Sequence, residues 1–134
     1  MNTENELEIS IMDVVLVEPG KPPQIKTIEN NLRSMQRIVG GNIQTYPLED
    51  GAVLVCDEEG KLKNKPINRA IRIYDSETCE FKTTDVIVGT FFVCYAPEGS
   101  EEFCSLPLEL QKKFVKLFVK NLRWEVMKWL TMWF

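Results

Sequence analysis

The strongest constraint on the fold is the run of residues 86–96, in which β-branched and aromatic side chains follow one another almost without polar interruption. This pattern is typical of a strand buried on both faces of a sheet. Gly89 lies in the middle of the run and predicts a bulge or a close backbone approach, because glycine has no side chain to pack. Residues 7–17 are rich in β-branched side chains, and their apolar stretch Val14-Val15-Leu16-Val17 predicts another central strand.

An amphipathic helix is predicted after the first strand. Over roughly residues 24–38, apolar residues recur at steps of three and four, which is the period of a helix with one buried face. Those residues are Ile25, Ile28, Leu32, Met35 and Val39. Gly40 and Gly41 follow, and glycine adopts the left-handed conformation that ends a helix. We interpret this pair as a helix stop, since a phosphate-binding loop places its glycines before a helix.

Turn residues divide the rest of the chain into short elements. Residues 42–48 and 52–56 are predicted strands joined by a hairpin-type turn, Glu49-Asp50-Gly51. Residues 63–84 are mixed and polar, and they indicate only one helical turn or an edge strand. Because hairpin signals dominate, we predict an α+β fold in the order β-α-β-β-β-α. It has a mostly antiparallel sheet of four to five strands, one helix packed on a face, and a long C-terminal amphipathic helix.

The end of the chain differs in charge from the rest. Residues 105–134 contain six basic and two acidic side chains and carry +4, whereas residues 1–104 contain ten basic and eighteen acidic side chains and carry −8. One broad apolar stripe from Leu110 to Trp133 predicts a long helix. We therefore divide the chain into an α+β body, residues 1–104, and a C-terminal amphipathic helix, residues 105–134. The helix belongs to the same domain or serves as a dimerisation element.

The aromatic residues of this C-terminal helix require a surface that shields them from water. If three tryptophans and Phe134 stayed exposed to water, the protein would lose on the order of 15–20 kcal/mol of the free energy gained by burying apolar surface. Three surfaces are candidates to cover these side chains: the protein's own sheet, a second copy or partner protein, and a membrane surface. Five charges between Phe114 and Phe134 exclude a membrane span. The predicted interface residues are Phe118, Leu122, Trp124, Val126, Trp129, Leu130, Trp133 and Phe134.

Composition excludes several classes of function. The chain has no histidine, so Ser-His-Asp, Cys-His and His-zinc chemistry are impossible. Its net charge of −4 argues against nucleic-acid binding. The four cysteines contain no C-x-x-C pair, which favours reduced, structural thiols, and we predict no metal and no cofactor. The polar, acidic N-terminal residues do not resemble a secretory signal, so the expected location is the cytoplasm.

One set of polar residues is a speculative ligand site. Carboxylates, an amide and a guanidinium fall close together in sequence, and the forked donors of Arg69 suit a phosphate or a carboxylate. The alternative is a solvated hairpin tip in which Arg69 pairs with a loop acid. For Asp85, which begins the buried strand, the alternative to a ligand-binding role is a structural role in a turn. The predicted ligand-binding residues are Glu58, Glu59, Lys61, Asn68, Arg69, Asp85 and Thr90.

Several sequence blocks together resemble one protein family. They are VEPGK (17–21), Met35-Gln36, IVGG (38–41), DEEGKL (57–62), NRA (68–70) and DVIVGTFF (85–92). Over residues 9–118 they resemble domain-of-unknown-function family 3846, an uncharacterised family of phage and bacterial mobile-element proteins. The resemblance implies a small intracellular accessory protein and no particular reaction. Asp57 stands where the family pattern has asparagine, and the basic, tryptophan-rich stretch after residue 118 has no counterpart in the family pattern.

Two functions follow as expectations. The first is a non-enzymatic protein-interaction module of a phage or mobile element, a homodimer or a partner of a host protein. The alternative is a protein that binds a small anionic or nucleotide-like ligand, or a weak enzyme, using the region from Glu58 to Arg69. Nucleic acid is not an expected partner, and contact with a membrane surface is the least favoured of the three uses of the C-terminal helix.

Overall fold

A computed structural model describes residues 9–75, 77–97 and 100–120 of the chain. The principal sheet has five antiparallel strands in the order β2-β1-β7-β4-β3, and β5 and β6 form a separate two-stranded sheet. The strands are β1 (Ile11–Val17), β2 (Gln24–Glu29), β3 (Ile43–Pro47), β4 (Ala52–Asp57), β5 (Ile67–Asp75), β6 (Glu80–Val88) and β7 (Phe91–Tyr95). The helices are α1 (Leu32–Val39) and α2 (Leu108–Lys120), and a short 3₁₀ turn spans Glu49–Gly51. The α+β class and the order of elements are therefore as predicted.

The two faces of the principal sheet bury separate apolar clusters. Successive side chains of a strand point to opposite faces, so the mostly apolar strands β1, β4 and β7 supply both clusters. Val14 and Phe92 pack with Met35 of α1 on one face. Val15 and Phe91 pack on the other face, beneath α2 and the β5–β6 hairpin. This double coverage explains why the central strands lack the polar alternation of a half-exposed sheet.

The helix predicted over residues 24–38 is wrong in its first part. Gln24–Glu29 is strand β2, which pairs antiparallel with β1 and places Ile25 opposite Val15. Ile25 is 52% exposed, so the apolar spacing here does not mark a buried helical face. Pairing with β1 outweighs the helical pattern because it satisfies backbone groups that a central strand leaves open on that side. The helix begins after Asn31, whose Oδ1 accepts a hydrogen bond from the Ser34 N–H at 2.7 Å.

The helix stop is confirmed at Gly40. This residue has φ 81° and ψ 29°, the left-handed conformation, and its N–H donates to Gln36 O at 2.8 Å. Glycine is favoured there because a side chain destabilises this conformation. The short helix α1 therefore ends where the sequence predicts, and the chain turns into β3.

The predicted strand at residues 86–96 is divided into two strands by Gly89. With φ 74°, Gly89 redirects the chain, so that β6 pairs with β5 whereas β7 pairs with β1 and β4. A Cβ on Gly89 would lie 2.7 Å from Lys65 Cδ, so the predicted close approach is confirmed. The N–H of Gly89 also donates to Pro66 O at 2.7 Å. Residues 63–84, ambiguous in sequence, supply most of the β5–β6 hairpin.

Helix α2 packs its first turns on the sheet. Phe118 lies edge-on to Phe91, with ring centroids 5.2 Å apart, and stacks on Phe114 at 6.0 Å. Both α2 phenylalanines are 1% exposed. Phe118, a predicted interface residue, thus lies in the core. The other predicted interface residues, from Leu122 to Phe134, lie outside the described residues. Within the described parts of the chain, no helix has the length and apolarity needed to cross a membrane.

Candidate functional site: a basic groove at the end of helix α1

A buried carboxylate holds the loop after β4 against the end of α1. Asp57 is the last residue of β4, and only 1% of its side chain is exposed. Its Oδ2 lies 2.9 Å from Lys63 Nζ and 2.6 Å from Lys65 Nζ. Lys63 also donates to Gly40 O at 3.1 Å, and Lys65 donates to Val39 O at 2.7 Å. The two lysines therefore cap the last carbonyls of α1 and neutralise the carboxylate at the same time.

This arrangement fixes the charge state of Asp57. Burial alone would raise the pKa of this carboxyl group, because it disfavours the charged form. Hydrogen bonds from Lys65, Lys63 and the Glu59 N–H outweigh burial and lower the pKa to about 2 from the ordinary value of 3.8. The carboxylate thus stays ionised, and the loop that carries the two lysines has a fixed anchor.

Gly41 provides the space that this anchor needs. A Cβ at Gly41 would lie 2.6 Å from Asp57 Oδ1 and 2.6 Å from Lys63 Nζ, distances that real Cβ contacts do not reach. The carboxylate and the ammonium group therefore occupy the position of a side chain. The two glycines have different roles. Gly40 ends the helix by its conformation, and Gly41 leaves room for the Asp57 carboxylate.

An open groove of about 670 Å³ lies beside this cluster. Its lining contains three cations, one carboxylate, two amides and a glycine. These residues are Arg33, Gln36, Arg37, Gly41, Asn42, Glu59 and Lys63. Gln36 Nε2 donates to Asn42 Oδ1 at 3.2 Å, which links the helix side of the groove to the segment that follows it. The groove therefore joins α1 to the anchored loop.

Two arginines line the α1 side of the groove. Arg33 and Arg37 are exposed and lie four residues apart on α1, which places them on one side of the helix. Neither guanidinium forms a hydrogen bond or an ion pair with a residue that the structure describes. Lys63 adds a third positive charge, and its position is fixed by Asp57 and Gly40. Such an arrangement can bind an anionic group through charge-assisted hydrogen bonds.

Arg69 is not part of the groove. It is 0% exposed and donates to three backbone carbonyl oxygens and one side-chain oxygen. Nε donates to Phe118 O at 3.0 Å, Nη2 to Lys21 O at 2.6 Å, and Nη1 to Asn68 Oδ1 at 2.7 Å and Asn68 O at 3.2 Å. Burial lowers the pKa of this guanidinium. The structure thus places Arg69 where it connects α2, the β1–β2 loop and β5 inside the protein.

Asn68 takes part in the same internal network. Its Nδ2 donates to Val17 O at 2.9 Å and to Gly89 O at 2.7 Å, so one amide joins the end of β1 to the corner between β6 and β7. Thr90 follows Gly89 at that corner and is half-buried. Asn68 and Arg69 are thus buried in this network, whereas the predicted ligand residues Glu58 and Glu59 are exposed.

A second concavity contains other predicted ligand residues. It has a volume of about 180 Å³ and includes Glu58, Lys61, Tyr46 and Cys56 in its lining. Lys61 Nζ lies 2.8 Å from Asp85 Oδ1, so the structure brings these two predicted residues together in an ion pair. Burial is the largest cause of the raised pKa values of Tyr46 and Cys56, and that of the thiol rises to about 11.

Of the cysteines in the described chain, two are buried and two are exposed. Burial raises the pKa of Cys94 to about 12, which keeps this thiol protonated. Cys79 and Cys104 are exposed. Among the described residues, no group of three or more Cys, Asp or Glu side chains is close enough together to hold a metal ion.

The sequence interpretation missed the residues that make the groove. It did not name Arg33, Arg37, Lys63 or Lys65 as candidate site residues. The four-residue spacing of the two arginines was the available signal. No sequence pattern indicated that Lys63 and Lys65 would reach a carboxylate across the end of α1.

These features define a small α+β domain with one five-stranded antiparallel sheet, covered on both faces, and a basic groove at the end of its first helix. The chain belongs to the family described as a domain of unknown function, DUF3846, whose sequence profile matches residues 12–119. Among curated proteins and solved structures, none is significantly similar to the chain. The match includes β1 from its second residue, the groove, and the described part of α2 except for its final residue.

Proposed function

We propose that the protein is a non-enzymatic interaction module of a phage or mobile element, and that its basic groove binds an acidic segment of a partner protein. The observation that carries this proposal is the pair of exposed arginines, Arg33 and Arg37, which form no ion pair with a described residue and line the groove beside the anchored Lys63. The phage or mobile-element setting comes from the family resemblance of the sequence.

Local charge supports an anionic partner. The chain as a whole carries −4, yet the groove lining has three cations and one carboxylate. An acidic partner segment is attracted to this patch and repelled by the rest of the surface, which favours one docking position over others. Long nucleic acid is disfavoured for the same reason, because its regular phosphates would extend over acidic surface.

The proposal is tested with a fluorescein-labelled oligoglutamate peptide, whose binding is measured by fluorescence anisotropy. The wild-type protein is compared with the double variant Arg33→Glu and Arg37→Glu. Each arginine supplies charge-assisted hydrogen bonds of about 1.5–3 kcal/mol, so the double variant should weaken binding at least ~10-fold. Raising the salt concentration should weaken the wild-type complex as well.

A matched control is available on α2. Lys112 and Lys116 are exposed cations four residues apart, and Lys112→Glu with Lys116→Glu changes the net charge by the same amount. This control should retain wild-type affinity. If the wild-type protein shows no binding, or if the control loses as much affinity as the groove variant, the groove is not the recognition surface and the proposal fails.

The alternative function is supported by the second concavity. The pocket beside the Lys61–Asp85 ion pair contains Glu58 and Lys61, two of the predicted ligand residues, and it would hold a small polar molecule. Lys61→Ala tests this candidate. A small anionic metabolite such as citrate that raises the melting temperature of the wild type and not of this variant would favour the ligand-binding function. Equal responses would oppose it.

The proposed module also self-associates through its C-terminal segment. The three tryptophans after residue 120 provide large apolar anchors of the kind that dominate protein interfaces. A chain that ends at Lys120 keeps both described helices. We expect the full chain to have the mass of a dimer in light scattering and the shortened chain that of a monomer. A full chain that is monomeric at high protein concentration contradicts this part of the proposal.

A further inference from the structure

We infer that the anionic group bound most tightly by the groove is a phosphate monoester, with a carboxylate as the weaker ligand. This inference rests on the proposed function, since it names the chemical class that the same groove selects. Its basis is the number of donors, the capped end of α1 and the single carboxylate in the lining.

The groove offers more donors than a carboxylate can accept. Arg33 and Arg37 each present a planar fork of N–H groups. The Lys63 ammonium has three N–H groups and uses two of them, on Gly40 O and Asp57 Oδ2. A carboxylate brings two oxygens and one negative charge, whereas a phosphate monoester brings three terminal oxygens and a charge of about −1.5 to −2. Three cations in one lining therefore match the phosphate group better.

The helix spacing suits one compact group. Four residues along an α-helix correspond to a rise of about 6 Å, which both guanidinium groups can bridge from their flexible stems. Arg33 and Arg37 can then bind different oxygens of the same group. Arginine forks pair in this bidentate way with phosphate oxygens.

The lysine contacts at the end of α1 allow an anion to bind beside this helix end. The C-terminal end of a helix carries exposed carbonyls and a partial negative charge, which repel anions. Here Lys65 donates to Val39 O at 2.7 Å and Lys63 donates to Gly40 O at 3.1 Å. Because the capping groups are cationic, they replace this repulsion with a positive potential. Asp57 holds both caps in place from the buried side.

Glu59 limits the ligand to a single phosphate. Its exposed carboxylate belongs to the groove lining and follows the exposed Glu58. A chain of phosphates would meet these negative charges, whereas one phosphate beside the arginines leaves Glu59 free to accept hydrogen bonds from a neutral part of the ligand. A phosphorylated side chain on a partner protein and a nucleoside monophosphate share this chemistry.

The experiment compares three peptides that differ at one position, with phosphoserine, glutamate or serine between neutral residues. Binding to the full chain is measured by isothermal titration calorimetry, with AMP and inorganic phosphate as further ligands. We expect the phosphoserine peptide to bind at least ~10-fold more tightly than the glutamate peptide. Arg33→Glu with Arg37→Glu should abolish this binding, and Lys112→Glu with Lys116→Glu should leave it unchanged.

A conservative variant separates the effect of the planar guanidinium geometry from the effect of its positive charge. Arg33→Lys with Arg37→Lys keeps both charges and removes the planar donors. It should retain oligoglutamate binding and lose most of the preference for phosphoserine. If AMP binds as tightly as the phosphoserine peptide, the inference is supported and the source is a nucleotide. If AMP binds more weakly than that peptide, the inference is supported and the source is a phosphorylated protein.

The failures are distinguishable. Equal affinity for the phosphoserine and glutamate peptides overturns the phosphate inference and leaves the acidic-partner proposal standing. Binding of inorganic phosphate that equals or exceeds binding of both phosphate esters also overturns it, because the groove would then attract any small anion. Absence of binding by every acidic ligand, oligoglutamate included, overturns both.

Discussion

Lys65 Nζ lies 2.6 Å from Oδ2 of the buried Asp57, and the same ammonium group caps α1 through Val39 O. This contact connects the end of β4, the end of α1 and the loop that reaches β5. It also positions Lys63, which shares the carboxylate and lines the groove. The position of this loop and the shape of the groove therefore depend on one buried carboxylate.

Replacing Asp57 with asparagine should destabilise the domain by about 3 kcal/mol. The change leaves two ammonium groups without their counter-charge while the surrounding structure still holds them near a buried site. Urea unfolding monitored by circular dichroism measures the effect. Glu18→Gln is the control, because it removes the exposed ion pair with Lys21 at 3.6 Å and should cost less than about 1 kcal/mol. Equal losses in both variants would show that Asp57 has no special role.

Stability should fall with pH as Asp57 becomes protonated. Its folded pKa of about 2 lies below the ordinary value of 3.8, so the unfolded chain binds the proton more readily. The contribution of Asp57 is therefore complete above roughly pH 5 and is lost as the pH falls through 3.8 toward 2. We expect the difference in unfolding free energy between wild type and Asp57→Asn to shrink over that interval. A difference that stays constant from pH 6 down to about 2.5 would contradict the assignment.

Gly41→Ala should destabilise the domain by about 1–3 kcal/mol, because the added methyl group must displace the Asp57 carboxylate. A double-mutant cycle with Asp57→Ala isolates the cause. In the Asp57→Ala background, the cost of Gly41→Ala should fall below its cost in the wild type. If the two costs are the same, the glycine is needed for a reason other than space for the carboxylate.

Arg69→Met should destabilise the domain by about 3 kcal/mol or more. The variant leaves the Phe118 and Asn68 oxygens, which are buried, and the partly buried Lys21 oxygen without their donor. Chemical denaturation measures the loss, and Arg33→Met, at an exposed residue, should change stability by no more than about 0.5 kcal/mol. Oligoglutamate affinity of folded Arg69→Met should equal that of the wild type. A stable Arg69→Met protein with weakened anion binding would support the original expectation of a ligand clamp.

Much of the fold was predictable from local sequence patterns. The apolar runs of β1 and β7 indicate central strands, and the glycines after Val39 indicate the end of α1. Residues 24–29 misled the prediction because their apolar spacing fits a helix, although the free edge of β1 pairs with them as a strand. The sequence predicts a bulge or a close backbone approach at Gly89. It does not predict that the chain passes from one sheet to the other there.

The site was predicted less well than the fold. The sequence drew attention to residues 57–62 and to Arg69 as possible ligand groups. The structure places Glu59 in the groove, pairs Lys61 with Asp85, and buries Arg69 among carbonyl oxygens. The sequence pattern does not show whether the side chain of a polar residue points into the protein or toward solvent.

The sequence by itself determined the class of the fold, the central strands and the end of the first helix, because these depend on periodicity and on the conformational freedom of glycine. The tertiary structure alone decided the pairing of β2, the internal position of Arg69 and the meeting of Lys65 with Val39 and Asp57. Arg69 and Phe118 are 49 residues apart, and Lys65 and Val39 are 26 apart. Contacts over such separations are set by how the packed layers bring distant segments together, and local sequence patterns do not encode that geometry.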